Sequence, residues 1–300
     1  MIHEVWMESH KAFVAAKAGR AGVTIEAEDG ITYARAYQRI IFPMIALLSI
    51  ALMRECKVFA VEAVPMGTND DWTRSIFFDP SDGHDLEDAR FGGAIFVATD
   101  VDAGALLTGW LRLAPNNLRA LESAMDKDAP GRLFPDAFDA VSAAEGLDRY
   151  LQREMKQVGQ AFTRSNTSLK RRLAGLVHDL GEAVATRHLE VQSRDDWAYV
   201  AATYRDALGH GLRLQEDLQL DPGLSIAVMK STGAVLRSTM LLASGMTEAA
   251  LLNMVREEFA RRTTSHHEGF DWGEMRRRSA GDPSRSELRA CSAAPTAFES

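Results

Sequence analysis

Cysteine is scarce in this chain of 300 residues, which contains only Cys56 and Cys291. Two cysteines cannot form a disulfide framework or a cysteine-rich zinc site, and such scarcity is typical of proteins from reducing compartments. The first thirteen residues, MIHEVWMESHKAF, carry charges where a signal peptide has its apolar region. We therefore expect a cytoplasmic protein.

Positive charge is also in short supply, because 34 Lys and Arg residues stand against 42 Asp and Glu residues and give a formal net charge of −8. This balance excludes a global basic field that would draw the protein onto nucleic acid or an anionic membrane, so any nucleic-acid contact must be local. Long hydrophobic runs are absent as well. The longest, residues 40–53, contains Pro43 and is shorter than the about 20 residues that cross a bilayer. We expect no membrane partner.

The sequence does contain ample apolar residues for a core, at 46% of the chain. Residues 33–53 predict a helix buried on most sides and kinked or broken at Pro43. Residues 57–64 and 72–78 predict two strands that could pair as a hairpin, and residues 94–99 are either a third strand or a buried loop. From about Ala105 onward, apolar residues recur at helical spacing. The fold class expected is therefore α+β, mostly α, with a small mixed helix and strand region before a bundle of four to five helices.

The helical part predicts five main elements. Helices are expected over residues 134–155, 169–189, about 194–209, 224–243 and 247–262, with residues 163–167 supplying candidate N-caps for the second and Thr247 for the last. Ser193 and Asp196 are spaced as a capping box, and Gly209 and Gly211 mark the end of the third helix. Residues from 263 onward show little apolar periodicity. The predicted domains are residues 1–110, a helical domain over 111–262, and a disordered tail over 263–300.

One group of polar residues lies at the end of the third helix, in the segment YRDALGHG. It places Arg205 five residues before His210, with the polar Asp206 after the arginine and glycines on both sides of the histidine. The spacing alone is weak, because Arg261 with His266 and Arg262 with His267 show it too. The ordinary alternative is a surface arginine and a helix-terminal histidine that interacts favourably with the helix dipole.

Together with its helical surroundings, this segment resembles the signature of the HEPN family (higher eukaryotes and prokaryotes nucleotide-binding). In that family an arginine, a polar residue and a histidine lie near a helix end. The segments AEGL at residues 144–147 and SLKRRLAGL at 168–176 are similar to the Apea-like branch, so the resemblance covers roughly residues 110–262. Apea-like proteins usually carry a longer N-terminal region, so residues 1–110 look like the tail of a reduced domain.

The resemblance implies metal-independent RNA cleavage in antiphage defence or a toxin system, by a dimer that brings two motifs into one cleft. It also implies RNA as a partner, and a neutralising or sensing protein as a second one. An ordinary histidine titrates at about pH 6.5, so His210 suits proton transfer from a ribose 2′-OH. Arg205 suits the scissile phosphate because its planar fork makes two contacts. Asp206 would orient His210 or a substrate hydroxyl, although it adds negative charge beside a phosphate site.

Helix geometry restricts this arrangement. Five residues of α-helix turn through about 500°, which places Arg205 and His210 roughly 140° apart around an unbroken helix. They would then not face one phosphate. Either a break at Gly209 turns His210 back, or a two-fold dimer combines the arginine of one subunit with the histidine of the other.

Other candidates are less specific. Arg164, Lys170, Arg171 and Arg172 form either a basic patch that tracks an RNA backbone or a solvated helix start. Glu145 is either a buried polar residue near the cleft or a helix-surface carboxylate. No cofactor and no metal are expected, because His266 and His267 lack a third ligand and Gly92-Gly93 lacks a phosphate-loop pattern. The rival functions are a non-catalytic dimerisation or sensing module and a purely structural protein.

Overall fold

The structure is a computed structural model. It describes residues 2–7, 10–17, 20–27, 31–52, 56, 60–63, 74–77, 101–125, 133–157, 168–189, 194–210, 221–262 and 270–279. For the strands and for residues 155–157, 186–189, 210 and 259–262 the description is of the backbone. Most of these residues are helical, in agreement with the predicted mostly α fold.

The helices are numbered in chain order. They are α1 (Tyr33–Ala36), α2 (Phe42–Leu52), α3 (Ala103–Leu113), α4 (Leu118–Ala124), α5 (Leu133–Gln157), α6 (Leu169–Asp179), α7 (Glu182–Leu189), α8 (Arg194–His210), α9 (Pro222–Ala243), α10 (Glu248–Arg262) and α11 (Trp272–Ser279). A π-helical segment, Tyr37–Ile41, joins α1 to α2, and a 3₁₀ turn, Ala114–Asn116, follows α3.

Two small antiparallel sheets lie in the N-terminal part. Strands β1 (Ile2–Met7), β2 (His10–Lys17) and β3 (Arg20–Ala27) form a meander in that order, with Val5 opposite Ala12 and Phe13 opposite Thr24. Sequence analysis missed this sheet. Strands β4 (Ala60–Ala63) and β5 (Arg74–Phe77) form an antiparallel pair, as the predicted hairpin requires. The expected element at residues 94–99 lies outside the described residues.

The chain divides into two compact units. The first comprises residues 1–129 and 233–264, and the second comprises residues 130–232 and 265–300. Helix α9 contributes its first half to the second unit and its second half to the first. This division differs from the predicted boundaries at 110 and 262, because the last helices return to the N-terminal part and a segment of the tail joins the second unit.

Pro43 shapes the first helical stretch. A proline has no N–H to donate and crowds the carbonyl of the preceding turn. The helix accommodates it with the π segment just before it, where the Phe42 N–H donates to the Tyr37 carbonyl five residues back. The Pro43 carbonyl accepts a hydrogen bond from the buried Trp110 indole at 2.8 Å. The chain stays helical through Pro43, so the predicted break is absent, and the predicted burial on most sides is not found either, since 33% of the apolar window is buried.

The core of the first unit combines aliphatic packing with one buried ion pair. Leu106, Leu107, Trp110, Leu121, Leu236, Met240, Leu251 and Met254 are buried there. Arg237 on α9 pairs with Glu258 on α10 and also donates to the Ala124 carbonyl at the end of α4. Arg237 thus supplies a hydrogen bond to a carbonyl at the C-terminus of α4 and a charge partner for the buried Glu258. The predicted N-cap Thr247 is confirmed, because its hydroxyl accepts from the Ala250 N–H at 3.2 Å.

The second unit packs α5, α6 and α8 around a core that contains Leu147, Leu173, Leu176, Trp197 and Tyr204. The single helix predicted over residues 169–189 is wrong. It is two helices, α6 and α7, separated at Gly181, whose φ of 78° is left-handed and suits glycine. The N-cap of α6 is Ser168, while the candidate caps at residues 163–167 and Ser193 lie outside the described residues.

Part of the predicted disordered tail is ordered, which corrects that prediction for residues 272–279. Helix α11 buries Trp272 and Met275, which are three residues apart and therefore lie on one face. The Phe270 ring lies 4.6 Å from the Trp272 ring. A helix of eight residues with one short apolar face gives too little periodicity to stand out in sequence.

Two helical stretches among the described residues are long and apolar enough to cross a membrane, namely Tyr33–Leu52 and Pro222–Ala243. The second has 67% of its window buried inside the protein. Burial of that extent is typical of a core helix and explains its hydropathy without a bilayer.

Candidate functional site

Helix α8 carries the candidate site on its last turns. Its buried face, Trp197, Val200, Ala201 and Tyr204, anchors the helix in the core of the second unit. The Trp197 indole donates to the Ser231 hydroxyl at 2.9 Å, and the Tyr204 hydroxyl is 2.5 Å from that of Ser225. These contacts to α9 fix the rotation of α8 about its axis, so that Arg205 projects toward α5.

Arg205 is held by two carboxylates and one aromatic ring. Its Nη1 donates to Asp206 Oδ1 at 2.9 Å, and its Nη2 lies 3.5 Å from Glu145 Oε2. The guanidinium carbon lies 5.7 Å from the centre of the Phe138 ring, within the range of a cation–π contact. The side chain remains 24% exposed, and its buried Nε has no hydrogen-bond partner within the described part of the chain.

Glu145 connects Arg205 to a second arginine on its own helix. It pairs with Arg149, one turn further along α5, as well as with Arg205 on α8. Its side chain is only 15% exposed. Of the two interpretations that the sequence left open for Glu145, the structure therefore favours a largely buried, paired carboxylate beside the motif.

Gly209 allows α8 to approach α5 at the same point. A Cβ at position 209 would lie 3.0 Å from Phe138 Cε2, which is tighter than ordinary packing. The absence of a side chain there leaves room for the Phe138 ring, which also contacts the Arg205 guanidinium. Phe138, Glu145, Arg205, Asp206 and Gly209 form what we call the α5–α8 arginine site.

The position of His210 decides between the two arrangements that the sequence left open. The backbone of α8 is helical through Gly209 to His210, so the helix does not break at Gly209. The arrangement in which such a break turns His210 back is therefore wrong. Positions 205 and 210 are then about 140° apart around one continuous helix. The arrangement that uses two copies of the chain stays a prediction.

The predicted basic patch does not form one face. Arg172 projects toward α5, where its Nη1 donates to the buried Asp148 at 3.1 Å. Lys170 projects toward α8, where its Nζ lies 5.0 Å from the centre of the Tyr199 ring. Arg171 is exposed between them, and Arg164 lies outside the described residues. Consecutive residues diverge in this way because each turns about 100° around the helix axis.

Sequence analysis missed two residues near this patch. Tyr199 gave no signal beyond helical periodicity, and Arg276 lay in the predicted tail. In the structure Arg276 donates to Asp196 at 2.5 Å, and its guanidinium lies 5.2 Å from the centre of the Tyr199 ring. The docking of α11 that brings Arg276 there rests on buried Trp272 and Met275.

Across the ranges that the structure describes, no three His, Cys, Asp or Glu side chains are grouped closely enough to hold a metal ion. No protein-family model, curated protein or solved structure matches the chain. The similarity to HEPN proteins therefore remains a resemblance of motif and helix order, and functional inference rests on the α5–α8 arginine site.

Proposed function

We propose that this protein is a metal-independent endoribonuclease of the HEPN type, in which Arg205 stabilises the scissile phosphate and His210 transfers protons. One observation carries the proposal. Arg205 is fixed between α5 and α8 by Glu145, Asp206 and Phe138, yet its guanidinium stays part exposed within two turns of the histidine that ends α8. A preorganised arginine near a histidine suits phosphodiester cleavage without a cofactor, because it combines a stabiliser of phosphate charge with a proton-transfer group.

His210 and Arg205 supply the groups that each step of the proposed reaction uses. The neutral imidazole of His210 takes the proton from the ribose 2′-OH, and the 2′-oxygen attacks the adjacent phosphorus. The bond from phosphorus to the 5′-oxygen breaks, and a protonated histidine returns a proton to that leaving oxygen. The products are a 2′,3′-cyclic phosphate and a 5′-hydroxyl. Arg205 stabilises the negative charge that develops on the non-bridging oxygens.

Because α8 is continuous through His210, the proposed active form is a homodimer. Two-fold symmetry places the same helix end from both subunits in one cleft, so that Arg205 of one copy serves the phosphate attacked with the help of the other copy's histidine. The two histidines then act as base and acid in the same turnover. Asp206, which holds Arg205, positions it for this task.

The alternative is a non-catalytic module that dimerises and senses RNA or a protein partner. A specific observation favours it, since both outer nitrogens of Arg205 already face carboxylates, Asp206 and Glu145. Two negative groups at the fork oppose a third negative group, the phosphate. The sensing module would bind RNA and leave it intact.

The deciding experiment incubates end-labelled tRNA and mRNA with the full chain in EDTA. We expect wild-type protein to produce 2′,3′-cyclic phosphate ends, and Arg205→Ala and His210→Ala to lose cleavage at least a hundredfold, the usual scale of a lost acid–base group. His178→Ala removes a histidine whose side chain is 67% exposed on α6, and Arg153→Ala removes an exposed arginine on α5. Both controls should cleave like wild type. Products with a 3′-hydroxyl would contradict the mechanism.

We also propose that the cleavage serves antiphage defence or a toxin system in the cytoplasm, with a neutralising or sensing protein as partner. Expression in growing cells should then deplete RNA and stop growth, while His210→Ala expressed at the same level should be harmless. Equal toxicity of the two proteins would show that the growth effect does not depend on His210.

A further inference from the structure

A surface of basic and aromatic residues lies on α6, α8 and α11 of the second unit. It does not include Arg205 or His210, the residues of the proposed reaction. At its centre is Tyr199 on α8, whose ring is contacted by Lys170 at 5.0 Å and by Arg276 at 5.2 Å. Arg171 follows Lys170 on the exposed side of α6, and Arg277 follows Arg276 on the exposed side of α11. We call these five residues the Tyr199 surface.

The two cations at the ring come from separate helices. Arg276 donates to Asp196, one turn before Tyr199 on α8, and this hydrogen bond raises the pKa of Arg276. Lys170 lies on the first turn of α6, and the buried Leu173 and Leu176 attach that helix to the core. The side chains of Arg276 and Arg277 remain 42% and 68% exposed, and Lys170 is half-buried. Arg276 is thus both oriented and accessible to solvent.

Four of the five residues of this surface are cationic, and the acidic residues beside them are Asp195, Asp196 and Glu274. Helix α11 carries three arginines, Arg276, Arg277 and Arg278, against one acidic residue, Glu274, while the chain has a formal net charge of −8. The first turn of α6 carries no acidic residue and contributes Lys170 and Arg171 to this surface, since Arg172 is directed inward to Asp148. Asp196 and Glu274 pair with Arg276 and Arg277, but no ion pair engages Lys170 or Arg171 among the described residues. Two cations with no carboxylate partner among the described residues favour the binding of a polyanion at this place on an otherwise acidic protein.

We propose that the Tyr199 surface binds the phosphate backbone of the RNA on which the proposed nuclease acts. Phosphate contacts by Lys and Arg position a nucleic acid without reading its sequence. This inference rests on the proposed function, which makes RNA the polyanion that the surface binds. Lys170 and Arg171 contact phosphates directly. Tyr199 and Asp196 hold Arg276 beside these two residues.

The test measures binding of the full-length wild-type chain to a single-stranded RNA with 2′-O-methyl groups throughout, which has no 2′-OH nucleophile and stays intact. Each phosphate contact on a single strand contributes about 0.7 to the slope of log affinity against log salt. We expect Lys170→Glu/Arg171→Glu to reduce this slope by about 1.4. The control Arg112→Glu/Arg256→Glu makes the same change of charge at exposed positions in the first unit and should leave the slope unchanged.

Folding is monitored by circular dichroism, and Arg171→Glu alone, at an exposed position, covers the case in which the double variant unfolds. No binding by wild type, or equal slopes for the surface and control variants, would overturn the proposal. Equal affinity for duplex DNA of the same length would overturn the assignment to RNA. Cleavage of unmodified RNA is measured in a separate experiment. RNA binding through this surface without cleavage would refute the nuclease alone, and cleavage with an unchanged slope would refute the surface alone.

Discussion

Glu145 on α5 and Arg205 on α8 face each other across the helix pair, with Oε2 of the carboxylate 3.5 Å from Nη2 of the guanidinium. The carboxylate also pairs with Arg149, so it is divided between two cations. A separation of 3.5 Å is at the outer limit of a hydrogen bond, and Glu145 therefore restrains Arg205 chiefly by charge. It restrains the same nitrogens that a phosphate would need.

Replacing Glu145 by glutamine keeps the shape of the side chain and removes its competition with a phosphate for Arg205. We expect Glu145→Gln to tighten RNA binding by roughly threefold, which corresponds to about 0.6 kcal/mol for a part-exposed ion pair. The measurement is the dissociation constant for 2′-O-methyl RNA. Glu154→Gln, at an exposed position of the same helix, makes the same charge change and should have no effect. Weaker binding by Glu145→Gln would show that the carboxylate orients Arg205 and does not compete.

Two glycines in helices provide opposite predictions for stability. A Cβ on Gly109 in α3 would lie 2.2 Å from the carbonyl oxygen of Ser244, whereas a Cβ on Gly146 in α5 would meet no atom within 4 Å. Gly109→Ala should destabilise the protein by about 3 kcal/mol because backbone atoms must separate. Gly146→Ala should stabilise it by about 0.5 to 1 kcal/mol by restricting the unfolded chain. Urea unfolding of both variants checks the pair, and destabilisation by Gly146→Ala would contradict the open space at that position.

Arg172 and Arg171 are adjacent basic residues that should behave differently. The side chain of Asp148, which pairs with Arg172, is only 2% exposed and also accepts from Gln152 Nε2 at 2.5 Å. Arg172→Ala removes a cation that pairs with a buried carboxylate and should destabilise the protein by about 3 kcal/mol. Arg171→Ala, at an exposed position, should change stability by less than about 0.5 kcal/mol. Similar unfolding midpoints for the two variants would contradict an inward role for Arg172.

Tyr204 makes stability depend on pH in the alkaline range. Burial raises the pKa of Tyr204 above its ordinary value of 10.0, with a further rise from Asp221 and an opposing effect from the hydrogen bond with Ser225. Above pH 10 the unfolded chain releases the phenolic proton while the folded chain retains it. The contribution of Tyr204 is therefore complete below pH 10 and is lost as pH rises through the higher folded value.

The variant Tyr204→Phe isolates this effect. It removes one hydrogen bond, at about 1 kcal/mol, and leaves the Ser225 hydroxyl bonded to the Asp221 carbonyl. Urea unfolding at pH 8 and at pH 11 should show the variant losing less stability between the two values than wild type. An equal loss would assign the alkaline dependence to other groups.

Much of the helical part was predictable because its signal is local. The apolar spacing predicted α5, α9 and α10 to within about two residues, and Thr247 caps α10 as expected. Gly181 could have been predicted to divide residues 169–189, since a glycine after an amphipathic helix is a common stop. The N-terminal sheet was missed because its short strands, such as Ala-rich β2, alternate only weakly between apolar and polar residues.

The candidate site was predictable in its residues and not in its contacts. The Arg205 motif and Glu145 were both evident in the sequence, since each lies in a recognisable helix. The pairing of Glu145 with Arg205 joins residues 60 positions apart, and that of Arg276 with Asp196 joins residues 80 positions apart. No local pattern specifies such pairs, because they depend on the rotation of one helix against another.

The sequence by itself determined the mostly helical character of this protein, the approximate limits of its long helices and the location of the Arg205 motif, because helical periodicity and capping act within a few residues. Only the tertiary structure decided that α8 runs unbroken to His210, that Arg172 is directed inward to Asp148, and that α11 adds Arg276 to the ring of Tyr199. These outcomes depend on which apolar faces pack together, and packing between distant segments is settled by the free energy of the whole core.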